Sequence, residues 1–423
     1  MIFQYIKPAL IFIMCLIFVS ACNSMQGVSD GWQASPDVVS QQVEERPENL
    51  WVEGDVPSYE LPGLLETSNG GTVSTAEEWE PRRAEILEQF RSSMYGRSPG
   101  APVYLSFELI EENSSAMDGA ATLKRIIAHS IHGGRTHQFE FSLFLPNAAN
   151  GPVPVYTLIN NRDRSNIDPT RENKSDFWPA EQVIERGYGI AAFQNSDLAP
   201  DNAEDYRNGV IQLFEGEEAY GERAPDAWEA LAAWGWGASR VMDYLETDPG
   251  VDASKVALVG HSRGGKASLW AGAEDERFAV VIANDSGSGG AALSRRQFGE
   301  TVEDVNRFAH WFAGNFDEYN NNEEALPFDQ HMLVALIAPR AVYIASADRD
   351  LWADPKGEFL SLAHASPVYS LWGHTPIAPE ELPELNSPLV AGPRGYHVRE
   401  GGHNLTTVDW HFYMDFTDTI FVE

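Results

Sequence analysis

The stretch Lys255-Val-Ala-Leu-Val-Gly-His-Ser-Arg-Gly264 constrains the fold of this chain more than any other. A β-branched apolar run leads straight into Gly260-His-Ser-Arg-Gly264, and Lys266-Ala-Ser-Leu-Trp-Ala-Gly272 behind it has the composition of a helix. G-x-S-x-G between a strand and a helix is the setting of a nucleophile elbow. The turn there is so sharp that the serine is held in a strained conformation, and the flanking glycines relieve the crowding. Ser262 is therefore the candidate nucleophile, and the amide of Arg263 points into the same space as an oxyanion donor.

The rest of the chain agrees with a sheet built around that strand. Thr75-Ala-Glu-Glu78 is a capping box, opening a helix through Trp79, Ile86, Leu87 and Phe90. Alternating segments at 103–110, 122–132 and 138–145, separated by Asp118-Gly119 and Gly133-Gly134, predict an antiparallel edge. After Pro146 the rhythm becomes strand–helix. Strands are expected at 154–159, 189–193, 278–283 and 341–347, with helices at 178–186, 226–245, 359–365 and from about Thr407. Such alternation gives a mostly parallel sheet covered on both faces. With the elbow on its middle strand, the expected fold is α/β-hydrolase, as one catalytic domain over residues 49–423.

The N-terminus is of another kind. Pro8–Val19 is an apolar run behind Lys7, and it ends in Val19-Ser-Ala-Cys22. That is the pattern of a secretory signal over residues 1–22 closing on a lipobox, with Cys22 acylated. Asn23 after it points to the outer membrane of a Gram-negative bacterium, and residues 23–48 are polar enough to form a flexible tether. Cys15 leaves with the signal, so the mature chain has no disulfide. The formal charge of −34, from 63 acidic and 29 basic residues, excludes nucleic acid as a partner. It also limits membrane contact to the lipid anchor. A monomer is expected.

A serine needs a histidine base, and that base needs an acid to fix its tautomer. In this fold the order is serine, acid, histidine. Of 11 histidines, His403 stands in Arg399-Glu-Gly-Gly-His-Asn404, a glycine-flanked loop after the last strand and before the last helix. His310, His331 and His374 lack that placement. Two acids compete: Asp350 follows the 341–347 strand and Asp285 the 278–283 strand, and each could equally be a turn residue. Neither an H-E-x-x-H motif nor a cysteine cluster occurs, and no glycine-rich dinucleotide loop follows the first parallel strand, so no metal and no cofactor are expected.

These residues carry a resemblance. Gly260-His-Ser-Arg-Gly-Gly-Lys266, Asn284-Asp-Ser-Gly-Ser-Gly-Gly-Ala-Ala-Leu-Ser-Arg295, Gly299-Glu-Thr301, His310-Trp-Phe312, Asp329-Gln-His331 and Asp350-Leu-Trp-Ala-Asp-Pro355 are similar to the glucuronoyl esterases of carbohydrate esterase family 15. The resemblance implies that the Arg263 side chain joins the oxyanion hole, and that Lys266, Glu300 and Trp352 contact the uronate, Lys266 by hydrogen bonds to sugar hydroxyls. His261 is the bacterial form of its position. Fungal members carry a glutamate as acid at the site of Asp285, whereas bacterial members often use that of Asp350. Asn160-Asn-Arg-Asp163 departs from the glycine-containing stretch of the family.

The expected activity is hydrolysis of esters of glucuronic or 4-O-methylglucuronic acid on a uronate-bearing polysaccharide such as glucuronoxylan, through an acyl-enzyme. An acetyl or feruloyl polysaccharide esterase is the alternative on the same fold, and a non-catalytic glycan-binding lipoprotein the alternative of another class. Asp350 is expected as principal acid, with Asp285 in support.

Overall fold

The computed structural model describes Met1 and residues 31–421. The signal, the lipobox with Cys22 and the first part of the expected tether lie outside the described residues. Ten strands form one sheet: β1 Tyr104–Ser115, β2 Ala121–His132, β3 Arg135–Pro146, β4 Val153–Asn160, β5 Gly189–Gln194, β6 Val251–His261, β7 Val280–Asn284, β8 Ala341–Ala347, β9 Leu389–Ala391 and β10 Arg394–Arg399. Their order is β1-β2-β3-β5-β4-β6-β7-β8-β10-β9. The run from β5 to β10 is parallel, and β1 to β3 form the antiparallel edge that the sequence predicts. The elbow strand β6 sits between β4 and β7. This is the α/β-hydrolase architecture.

The central strands are apolar on both sides because both faces are covered. Val256, Leu258, Val281 and Ile344 face one core with the helices Ala230–Leu245 and Arg263–Glu274. Ala257, Val259, Ile282 and Tyr343 face the other, with Trp410, Tyr413 and Phe416 of the helix Thr407–Phe421. Adjacent residues thus alternate between two cores, as a period of two requires. The helix expected at 178–186 is shorter, Ala180–Glu185, and that at 359–365 is longer, Pro355–Ser370. The capping box at Thr75 is half formed. Thr75 accepts from the Glu78 amide, but the Glu78 carboxylate turns to the amide and hydroxyl of Ser74.

The tether is corrected over its described part. Pro36–Glu45 is a helix with Ser35 as N-cap and Pro36 at its first turn. Val38 and Val39, with Trp32 and Ala34, pack against a small core of Trp51, Phe298 and Leu351. Polar composition concealed this: two adjacent valines anchor the helix, and the core they meet combines the nearby Trp51 with Phe298 and Leu351, more than two hundred positions away.

Candidate active site

Ser262 has φ 57° and ψ −129°, the strained geometry expected of an elbow. The glycines explain how it is tolerated: a Cβ on Gly260 would lie 1.9 Å from the carbonyl oxygen of Gly264. The Ser262 amide donates to the Asn284 carbonyl at 2.8 Å, which ties the turn to β7.

His403 faces the serine. Its Nε2 is 2.8 Å from Ser262 Oγ, and its Nδ1 is 2.6 Å from Asp350 Oδ2. A carboxylate only accepts, so the proton sits on Nδ1 and leaves Nε2 to accept from the hydroxyl. Arg399, at the end of β10, anchors the base loop by donating to the carbonyls of Gly402 and Asn404 on either side of His403. Asp409 holds Arg399 in turn, accepting from Nε with both oxygens.

Asp285 is also in the cluster but makes no bond to His403. Its Oδ2 is 3.5 Å from Arg399 Nη2, and its Oδ1 is buried without a hydrogen-bond partner. Burial, then the charge of Asp350, pushes its carboxyl well above the usual carboxylate range. Beneath it His261 is fully buried and held neutral, its pKa driven well below the ordinary value by burial and then by His403. Its tautomer follows from its neighbours. Arg162 Nη2 can only donate to Nε2, at 2.9 Å, so Nδ1–H donates to Asn284 Oδ1, at 2.6 Å. Arg162, in the stretch that departs from the family pattern, thus forms the floor behind the triad.

The Arg263 guanidinium is fixed at two points. Nε donates to Asp201 Oδ2, and Nη2 donates to the Asn161 carbonyl at 3.1 Å. The remaining N–H groups, with the Arg263 amide that opens the helix, are available to a developing oxyanion. Asp201 also accepts from His310 Nε2 and Trp311 Nε1, both at 2.9 Å on Oδ1. Burial raises its pKa, but the His310 bond and the Arg263 charge outweigh that and hold it below the usual range. Sequence reasoning missed Asp201. It stands in a loop 62 positions from Arg263, with no motif around it. His310, a rival base, serves it instead. His331 is buried, pushed down to about 3 by desolvation, and sits 3.2 Å from the Pro62 carbonyl. His374 packs near Tyr369.

A cavity of ≈ 300 Å³ joins these groups to Lys266, Glu300 and Trp352. The Lys266 ammonium has three protons and three protein acceptors: the carbonyls of Ser286 at 2.8 Å and Ser288 at 2.5 Å, and Glu300 Oε2 at 2.9 Å. Lys266, expected to read sugar hydroxyls, lines the cavity with its ammonium engaged by these protein acceptors. It fixes the loop and Glu300. Glu300 Oε1 accepts from Trp352 Nε1 at 3.1 Å, so lysine and indole together aim a carboxylate whose other lone pairs face the cavity. Arg295 and Arg296 lie outside it: Arg295 caps the carbonyls of Leu326 and Phe328, and Arg296 pairs with Asp354. A larger cavity of ≈ 700 Å³ beside Trp51 and Phe298 contains neither nucleophile nor base.

Among the described residues, one set of side chains has metal-ligand spacing: Asp285, Asp350 and His403, with ligating atoms within 4.8 Å. The His403–Asp350 bond occupies two of those atoms and burial favours the proton on Asp285, so the donor set fits proton handling better than a cation.

Comparison with known proteins agrees with this geometry. The family model described as glucuronyl esterase, fungi, matches residues 129–373. The carbohydrate esterase MZ0003 of an unknown prokaryotic organism is 38% identical over 417 residues, 92% of this chain and 94% of its own. A solved glucuronoyl esterase from Solibacter usitatus superposes with a TM-score of 0.80 at 41% identity, covering 87% of this chain and 99% of that one. A promiscuous esterase of carbohydrate esterase family 15 from a marine bacterial metagenome gives 0.79 at 38% identity, over 88% and 99%.

Proposed function

Because the chain belongs to the glucuronoyl esterase family, we propose that it hydrolyses esters of glucuronic or 4-O-methylglucuronic acid with Ser262 as nucleophile. The observation that carries the reading is the line Ser262 Oγ–His403 Nε2, His403 Nδ1–Asp350 Oδ2 opening on a cavity walled by Glu300 and Trp352. Relatives named 4-O-methyl-glucuronoyl methylesterase, such as that of Phanerochaete carnosa at 36% identity, support the substrate class.

In the reaction, His403 takes the Ser262 proton as Oγ attacks the ester carbonyl carbon. The carbonyl oxygen becomes an anion received by the Arg263 amide and guanidinium. Collapse breaks the bond to the alcohol oxygen, which leaves with the proton from His403. Water then gives its proton to His403, attacks the glucuronoyl ester of Ser262, and releases the uronic acid with the serine restored. Asp350 keeps the proton on Nδ1 and stabilises the imidazolium formed in each half. Glu300 accepts hydrogen bonds from sugar hydroxyls. A carboxylate there favours a polyhydroxylated acyl group over acetyl, which offers no donor to its remaining lone pairs. Methyl glucuronate and acetylated xylan assayed side by side test this. Higher kcat/KM on the uronate ester is expected, and preferential acetyl release would overturn the reading.

We place the protein as an exported lipoprotein anchored through Cys22 in the outer membrane of a Gram-negative bacterium and acting as a monomer. The apolar Pro8–Val19 run before Val19-Ser-Ala-Cys22 supports the anchor. Labelled palmitate should enter the protein in cells and be lost on Cys22→Ala.

A further inference from the structure

The N-terminal helix brings a cation into the catalytic cavity. Arg46 directly follows Glu45, the last residue of that helix, and its backbone is fixed. Its amide donates to Gln42 O at 2.9 Å, and its carbonyl accepts from the Asn49 amide at 3.2 Å and Trp51 Nε1 at 2.8 Å. The guanidinium lies over Trp352, 3.8 Å from the ring centroid. Trp51 packs at 6.0 Å from Trp352, tilted 36°, so the indole is a braced platform. A guanidinium on an indole face keeps its N–H fork outward and ready for a two-point bond.

What sets Arg46 apart is its lack of an acid. Four cationic side chains line the cavity. Arg263 pairs with Asp201, Lys266 with Glu300 at 2.9 Å, and Arg307 with Asp304 at 3.0 Å. Arg46 is exposed and, among the described residues, has no ion pair and no side-chain hydrogen bond. Of the four cations lining the cavity, Arg46 is the one that has no carboxylate partner among the described residues. It stands on the sugar side of the site, because the same Trp352 donates to Glu300, while the alcohol departs beside His403.

We infer that Arg46 is a subsite for a second carboxylate on the substrate, that of an unesterified uronic acid in the same sugar chain as the esterified one. The substrate class is then a polysaccharide with uronic acids close together, rather than one with isolated uronate esters on a neutral backbone. The helix that supplies Arg46 lies outside residues 129–373 matched by the family model, so it adds a contact beyond the matched region.

This rests on the uronate-ester reading, and the test separates the two. The substrates are a disaccharide of methyl glucuronate linked to glucuronic acid with a free carboxylate, and the same disaccharide with that carboxylate reduced to an alcohol. Arg46→Gln should lower kcat/KM on the charged substrate about tenfold more than on the reduced one, the range of a charge-assisted pair at a partly exposed site. Arg46→Lys should recover part of the difference, and added salt should shrink it. Equal losses on both substrates would overturn the inference and leave Arg46 as a support for Trp352. If the native protein cleaves neither ester, the uronate-ester reading fails. Calorimetry with the free-carboxylate disaccharide and the Ser262→Ala protein then decides on Arg46 alone. A tenfold weaker Kd on adding Arg46→Gln supports it, and an unchanged Kd refutes it.

Discussion

Asp201→Asn isolates the support of the oxyanion site. In the native protein Asp201 Oδ2 accepts from Arg263 Nε, while Oδ1 accepts from His310 Nε2 and Trp311 Nε1 at 2.9 Å each. An asparagine cannot satisfy all three donors. With its oxygen toward His310 and Trp311, its NH₂ faces the Arg263 N–H; flipped, it faces the other two donors. Arg263 keeps only its bond to the Asn161 carbonyl at 3.1 Å, and its side chain is 28% exposed, free to swing away. Complete loss of an oxyanion donor costs about 2.7–4 kcal/mol. A donor that is present but no longer aimed should forfeit about half, a fall in kcat of roughly 10- to 30-fold. KM should move much less, because the interaction matures in the transition state. The assay is steady-state hydrolysis of methyl glucuronate by the native protein, Asp201→Asn, Arg263→Ala and the double variant. If Asp201 acts through Arg263, the double variant is no slower than Arg263→Ala alone. Native kcat in Asp201→Asn, or a double variant slower by the product of both losses, would refute the reasoning.

The two acids should separate sharply. Asp350→Asn should lower kcat by about 10⁴, the loss found where an amide enforces the wrong tautomer, whereas Asp285→Asn, at a carboxyl that makes no bond to His403 and whose pKa burial and then Asp350 raise, should cost less than about tenfold; comparable losses would contradict the assignment. Glu300→Gln should raise KM for glucuronate esters, and Lys266→Ala should do the same by releasing Glu300; a larger penalty on an aryl acetate than on the glucuronate ester in either variant would remove Glu300 as the hydroxyl reader. Glu358, buried and accepting from Ser286 and Gly287, is pushed up to about 8 by desolvation. Between its ordinary 4.5 and about 8 only the folded chain holds that proton, so stability falls as pH rises through this window. Glu358→Gln, which removes the titrating proton, should flatten the fall of Tm over that range, and an unaltered slope would refute it.

The parts of the site legible in the sequence were those set by neighbours in the chain. Gly260 and Gly264 around Ser262 are local demands of one turn, and the loop carrying His403 is placed by the strand before it and the helix after it. The sheet was legible for the same reason: apolar runs such as Val256–Val259 must be buried on both faces. Asp201 and Arg46 were not legible. Each acquires its role only when a loop or a short helix folds against residues far along the chain, and neither stands in a pattern that announces this. The helix carrying Arg46 did leave a signal. Ser35-Pro36-Asp37 is an N-cap with proline and an acid in the first turn, outweighed by the polar residues after it. The choice between Asp285 and Asp350 also lay beyond composition, since both follow strands and both end within reach of His403. It turned on which carboxylate faces Nδ1.

The central claim is that Ser262 carries a glucuronoyl group during turnover, and trapping that ester tests it most directly. The protein mixed with an aryl ester of glucuronic acid, quenched within the first turnover and mapped by peptide mass, should bear the glucuronoyl adduct on the peptide containing Ser262. The adduct and the hydrolysis should both disappear in Ser262→Ala. Undiminished hydrolysis in that variant, or an adduct on another residue, would contradict the account.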